Sequence, residues 1–131
     1  MSDILAAHLY TELISSQEIQ ARRKLIWQTY DRNIKEWARS NKVTTPFLSD
    51  INSSSWHIYF LIFNSESHKF KFIDQMKHFG VECSSHYVPL HSSPFGRIAG
   101  VTPHPMPNTD HASSCLVRLP LYHSLTIEHA N

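Results

Sequence analysis

The densest group of chemically capable side chains runs from Cys83 to His91. His86, Tyr87 and His91 stand in His86-Tyr87-Val88-Pro89-Leu90-His91. Imidazole and phenol can hydrogen-bond hydroxyls or phosphate. The run leaves a strand and enters a proline-rich stretch, a common place for ligand contacts. A packed strand end with part-exposed histidines is the competing reading, and the residue types leave the two even. Cys83, His86 and His91 are also spaced C-x2-H-x4-H, with Cys115 or another of the ten histidines available as a fourth ligand. Thiolate and imidazole hold zinc. That spacing is not one of the strong zinc signatures, with no C-x-x-C pair and no H-E-x-x-H, so no metal is expected. A Cys83–His86 nucleophile and base pair fails on geometry, because i and i+3 on a strand point to opposite faces. Arg118, in a later apolar segment, can pair with a carboxylate or phosphate or stand as a surface arginine on an exposed strand position.

A second charged feature lies upstream. Arg32, Lys35, Arg39 and Lys42 step by 3, 4 and 3 and so share a helix face. The pattern reads as a solvated face rather than an anion-binding stripe, because the rest of the chain does not reinforce it. Lys plus Arg is 12 and Asp plus Glu is 11, leaving a net charge of +1. No global field holds nucleic acid or an anionic membrane. No apolar run approaches the roughly 20 residues of a membrane span. Met1 to Leu9 carries Asp3 and no early basic residue, unlike a secretory signal, so a cytoplasmic protein is expected. The only glycines are Gly80, Gly96 and Gly100. A Walker loop or GxGxxG turn is therefore excluded from the first 79 residues. Cys83 and Cys115 are read as two free, buried thiols.

The elements that must position these groups follow from periodicity. The 131 residues, 41% hydrophobic and 18% charged, suit one domain with a real core. Residues 3 to about 38 read as one long helix, bent near Ser16. Leu5, Leu9 and Leu13 start an apolar stripe that Ile19, Ile26, Tyr30, Ile34 and Trp37 extend. Ser2 or Asp3 can cap it. Ser15 and Glu18 have capping-box spacing and could instead open a second helix. The polar segment 41–55, which contains Pro46, reads as a loop with one edge strand. His57 to Phe63 reads as a buried strand. Ser65 or Ser67 caps a helix carrying Phe70, Ile73, Met76 and Phe79, and Gly80 is placed to end it in a left-handed conformation. Val81 to Val88 and Cys115 to Leu121 read as further strands, with an irregular loop over 89–110. Thr126 is a late N-cap. The expected fold class is α+β: a long N-terminal helix, then a small strand–helix–strand–strand layer.

Three segments carry a resemblance. Met1-Ser2-Asp3-Ile4-Leu5-Ala6-Ala7, with Arg22-Arg23 and Tyr30, looks like the start of the C-terminal part of the sugar-nucleotide aminotransferases. Glu12-Leu13 stands where many relatives have Gln-Leu. His86-Tyr87-Val88-Pro89-Leu90-His91-Ser92-Ser93-Pro94-Phe95-Gly96 resembles that family's H-Y-x-P-L-H-x-x-P-x-G segment. Leu116-Val117-Arg118-Leu119-Pro120-Leu121-Tyr122, followed by Leu125-Thr126, is similar to its L-x-R-L-P-L-[FY]-x-x-L-[ST] segment. The likeness is nearest to the branch that makes dTDP-4-amino-4,6-dideoxygalactose. Trp56-His57-Ile58-Tyr59 sits where the family has a histidine-containing strand start.

The resemblance implies the small C-terminal domain of the aspartate-aminotransferase fold type, in a dimeric enzyme using pyridoxal phosphate. Such an enzyme moves an amino group from glutamate to a dTDP-4-keto-6-deoxy sugar, in cell-surface polysaccharide synthesis. The Schiff-base lysine, the pyridinium carboxylate and the phosphate-binding groups belong to the large domain that precedes this segment in the family. None of Lys24, Lys35, Lys42, Lys69, Lys71 or Lys77 stands in such a context. The expectation is one small domain over 1–131, with the large domain absent, no cofactor on this chain alone and no catalytic residue of its own. His57, Tyr87, His91 and Arg118 are the expected substrate contacts. The partners expected are the sugar nucleotide, glutamate, and a second copy or the missing large domain. The alternative is a non-catalytic binding or dimerisation module. The first half of the helix is expected to expose an apolar patch with Leu5, Leu9 and Leu13.

Overall fold

The N-terminal third is helical, but not one helix. A computed structural model describes residues 2–48, 54–100 and 105–131. In it α1 (Asp3–Ile14) and α2 (Ser16–Ser40) meet at Ser15. The expected single helix over 3–38 is thus divided at Ser15, although backbone bonds still run through it, Ser15 N–H to Thr11 O at 3.3 Å and Ile19 N–H to Ser15 O at 3.0 Å. The capping box does not form, since the Ser15 side chain makes no cap bond. Ser2 does cap α1, accepting from the Leu5 amide. At its far end α2 closes through Lys42 N–H to Arg39 O (3.2 Å) and Val43 N–H to Ala38 O (2.8 Å), with Lys42 left-handed at φ 55°. The stripe changes role along its length. Ile26 and Tyr30 are buried, whereas no residue of α1 is.

The three strands among the described residues are shorter than the apolar runs suggest. β1 is Phe60–Ile62, β2 Ser84–Ser85 and β3 Leu116–Arg118. All pair antiparallel in the order β1-β3-β2, with Phe60 and Ser84 both opposite Arg118. The strand expected from His57 starts only at Phe60, although the Tyr59 carbonyl already accepts from Leu119 N–H at 3.0 Å; Trp56, just upstream, is left-handed at φ 51°. Of the expected 81–88 strand only two residues pair, on the short edge. The expected 115–121 strand loses Cys115 to a helix end and its tail to Pro120, which has no amide to donate. The 41–55 loop contributes a single bridge, Thr44 to Ile62; 49–53 lie outside the described residues.

Between β1 and β2 runs α3 (Glu66–His78), capped by Ser65. Gly80 N–H bonds Lys77 O and Val81 N–H bonds Met76 O, and Gly80 takes φ 76° as the sequence predicts. The stretch 89–110 is not the expected irregular loop. It holds a 3-10 turn (Leu90–Ser92), α4 (Pro94–Ala99) and the start of α5 (Pro107–Cys115), while 101–104 lie outside the described residues. Two of its prolines begin helices, where a missing amide costs nothing. Gly96 is needed here, since a Cβ would fall 1.7 Å from the Leu90 carbonyl oxygen. Thr126 caps α6 (Ile127–Ala130), as expected.

Helices α2 and α3 cover one face of the sheet. Tyr59, Leu61, Phe63, Val117 and Leu119 point into the core with Ile26, Trp27 and Tyr30. Trp27 meets the Trp56 and Tyr59 rings edge-on at 5.2 Å, and Phe72 of α3 packs on Phe63 at 5.1 Å. Strand alternation turns Phe60, Ile62, Leu116 and Arg118 to the other face, where all four are only partly buried. The architecture is a mixed one, helices over a small antiparallel sheet.

Candidate functional site

The open face of the sheet centres on Arg118. Its guanidinium carbon lies 5.5 Å from the centroid of the Tyr87 ring, a cation–π contact. Its Nε is buried and has no hydrogen-bond partner among the described residues. An arginine resting against an aromatic ring, with its Nε unpaired, is arranged to take a carboxylate or phosphate oxygen. Tyr87 reaches it from the segment just beyond β2. That segment is held down by Ser113 Oγ of α5, which donates to the Tyr87 carbonyl at 3.1 Å. Tyr87 is 74% exposed, and its ring stands beside His86 at 5.3 Å.

His91 sits on the 3-10 turn. Its Nε2 is 2.8 Å from Asp110 Oδ1 in α5, joining the two elements that flank α4. Tyr87 and Leu90 line a cleft of about 670 Å³ against Asn108, Ala112 and Ser113 of α5. Asp110 lines a second cavity of about 350 Å³ with Glu66, Lys69, Ser85 and His86. His57 stands apart. It is exposed, upstream of β1 on the sheet's opposite edge from Tyr87, and its Nδ1 is hydrogen-bonded by Ser55 Oγ. The structure thus brings Tyr87 to Arg118 and His91 to Asp110, and places His57 at a distance from both pairs.

Two residues of this region escape sequence reasoning. Asp110 falls in the stretch expected to be loop, and only the discovery of α5 brings it to His91. Lys69 reads as a flanking surface lysine but is 4% exposed, with its Nζ over the Phe70 ring at 4.5 Å and 3.9 Å from Glu66 Oε1. Its place at i+3 from an acidic residue on α3 is the one signal that could have suggested a partner. Cys83 is buried in the core, away from exposed His86, and burial pushes its thiol up to about 11, against thiolate chemistry. Cys83 and Cys115 are both free and buried. Arg32, Lys35, Arg39 and Lys42 are all exposed, with Lys35 paired to Asp31 at 3.6 Å, which is a solvated face.

Pyridoxal phosphate needs an amine for its aldehyde, a carboxylate for its ring nitrogen and donors for its phosphate. The open sheet face offers Arg118 and Tyr87 but neither lysine nor carboxylate. Lys69 lies in the other cavity, engaged by Phe70 and Glu66. The described residues do not fit the cofactor on their own, and no chemical step follows from them.

Comparison with known proteins agrees with this architecture. An uncharacterized protein of Methanocaldococcus jannaschii is 28% identical over 130 residues, covering 96% of this chain and 33% of its own length. Spr1654 of Streptococcus pneumoniae, provisionally assigned as a sugar aminotransferase, superposes with a TM-score of 0.83 at 22% identity, over 99% of this chain and 33% of that one. DesV of S. venezuelae, solved with a ketimine intermediate, gives 0.82 at 19% identity, over 95% and 32%. The chain therefore spans about a third of the length of the proteins it matches. The profile of the DegT/DnrJ/EryC1/StrS aminotransferases matches residues 1–131. With its whole length accounted for by that profile, the chain belongs to the DegT/DnrJ/EryC1/StrS aminotransferase family.

Proposed function

We propose that the chain is the C-terminal, small-domain part of a sugar-nucleotide aminotransferase and contributes one wall of its substrate site. The parent reaction moves an amino group from glutamate to a dTDP-4-keto-6-deoxy sugar, and the branch that makes dTDP-4-amino-4,6-dideoxygalactose is the nearest. Pyridoxal phosphate, when bound in such an enzyme, supplies the electron sink for the transfer. The observation that carries this reading is the Arg118–Tyr87 pair on the face that α2 and α3 leave open. Arg118 takes an anionic group of glutamate or of the sugar nucleotide, with the Tyr87 ring beside its guanidinium. His91 and His57 supply hydrogen bonds at the margin. The aldehyde anchor and the ring-nitrogen partner come from a large domain.

The test mixes the purified chain with pyridoxal phosphate and borohydride. The expected outcome is no single, stoichiometric lysine adduct. Transamination of the keto sugar is expected only when a large domain carrying the Schiff-base lysine is supplied. Turnover by the chain alone refutes the proposal.

A second reading is favoured by α1. Ile4, Leu5, Leu9, Tyr10, Leu13 and Ile14 are each at least 45% exposed. A non-catalytic module would use that face to bind a partner or a second copy. Sedimentation separates the readings. A tight dimer that forms through α1 and gains no activity with any large domain favours the module.

A further inference from the structure

His91 is the one candidate contact whose imidazole is held at one nitrogen by a carboxylate. Nε2 lies 2.8 Å from Asp110 Oδ1, and the His91 side chain is only 20% exposed. A carboxylate accepts and does not donate, so in the neutral imidazole the proton resides on Nε2 and Nδ1 carries the lone pair. Nδ1 has no hydrogen-bond partner among the described residues. His91 also lines a cleft of about 400 Å³ with Leu90, Ser93, Phe95 and Gly96. Among the described lining residues of that cleft His91 is the only ionisable one.

The anchoring is built from both sides. The 3-10 turn is fixed to α4 by the Gly96 amide, which donates to Ser93 Oγ at 2.9 Å, and by Arg97 Nε, which donates to the Ser92 carbonyl at 2.9 Å. Asp110 is in the first turn of α5, where the free amide ends favour a negative charge. Lys69 lines the same cavity as Asp110.

We infer that Asp110 is a positioning residue. It fixes His91 as the Nε2–H tautomer, so that Nδ1 is presented as an acceptor to a hydroxyl or amino group of the bound sugar. The inference rests on the proposed function for the identity of the ligand, and on the His91–Asp110 geometry for the tautomer. It makes His91 a reader of donor groups, selecting a sugar with a hydroxyl or amine at the contacted carbon against one with a carbonyl there. The cause of that selection is the cost of leaving the acceptor unpaired once the bound sugar has covered it from water.

The test is read on the chain itself, with 15N-labelled histidine and long-range proton–nitrogen correlation at pH 8.5. In the wild-type protein the His91 ring is expected to show the Nε2–H pattern alone. Asp110→Asn should give a mixed or reversed pattern, and Asp110→Glu should restore the original one. Unchanged backbone amide signals in β1 and β3 verify that each variant is folded. A wild-type ring with its proton on Nδ1, or an equal mixture, overturns the inference. An Asp110→Asn ring indistinguishable from wild type overturns it as well. Should the variant fail to fold, the wild-type spectrum still decides. Failure of the large-domain reconstitution refutes the proposed function and leaves this spectrum unaffected.

Discussion

The Tyr30 hydroxyl donates a 2.7 Å hydrogen bond to the Pro120 carbonyl, 90 residues further along the chain. The bond fastens the middle of α2 to the segment leaving β3. Pro120 ends the paired strand, and its carbonyl would otherwise be an acceptor without a ladder partner. Tyr30→Phe should therefore lower stability by about 1 kcal/mol without disturbing the aromatic packing. Urea unfolding followed by tryptophan fluorescence measures it, and an unchanged midpoint would show that the bond contributes nothing net.

Alkaline pH should weaken the fold. Burial pushes Tyr30 up from 10.0 to about 12, with smaller contributions from Cys83 and Tyr122, and pushes Cys83 up from 9.0 to about 11. Tyr59 moves the same way, through burial first and the Asp31 carboxylate second. These are acids whose folded pKa is raised, so the unfolded chain ionises first. Stability is then level below pH 9 and falls as pH rises through 9 to 12. Denaturant midpoints across that range check the direction. Cys83→Ala should flatten the early part of the decline.

The two left-handed helix ends make opposite predictions. Gly80→Ala should cost about 1 kcal/mol, since φ 76° strains any Cβ although nothing lies within 4 Å of it. Lys42→Gly should gain about 0.5 kcal/mol, because it relieves the same strain at an exposed position and gives back part of it in chain entropy. Thermal midpoints of the two variants should move in opposite directions, and movement in the same direction would contradict the argument.

Replacing Leu5, Leu9 and Leu13 together by serine should leave the core untouched. α1 has no buried residue, so each change should stay within about 0.5 kcal/mol. Self-association and dye binding at the apolar face should drop sharply. A large fall in the unfolding midpoint would mean that α1 is packed in solution.

The sequence made the long-range plan legible where one signal dominated. Gly80, Ser65 and Thr126 carry local backbone chemistry, and each performs the expected role. The apolar segments around Leu61 and Val117 are strands, because their alternation matches a sheet with one covered face. Strand length was not legible. Trp56 turns left-handed just before β1, Cys115 closes a helix at the start of β3 and Pro120 has no amide to donate beyond it, and hydrophobic content reports none of these. The 89–110 stretch misled for a related reason: proline marks loops and helix starts alike, and here Pro94 and Pro107 are starts. In the site, Tyr87 beside Arg118 joins two residues singled out by motif. The Asp110 partner of His91 depends on α5, and the burial of Lys69 depends on α3 packing near α5. Neither is a property of a single segment.

The central strand of the sheet is the last to be made. Phe60–Ile62 and Ser84–Ser85 do not pair with each other; both pair with Leu116–Arg118. A nascent polypeptide emerging from its N-terminus must therefore carry two unzipped edges until residue 118 arrives, and every product stopped before Leu116 lacks the seam that joins them. Closure of the sheet therefore waits on its most C-terminal strand.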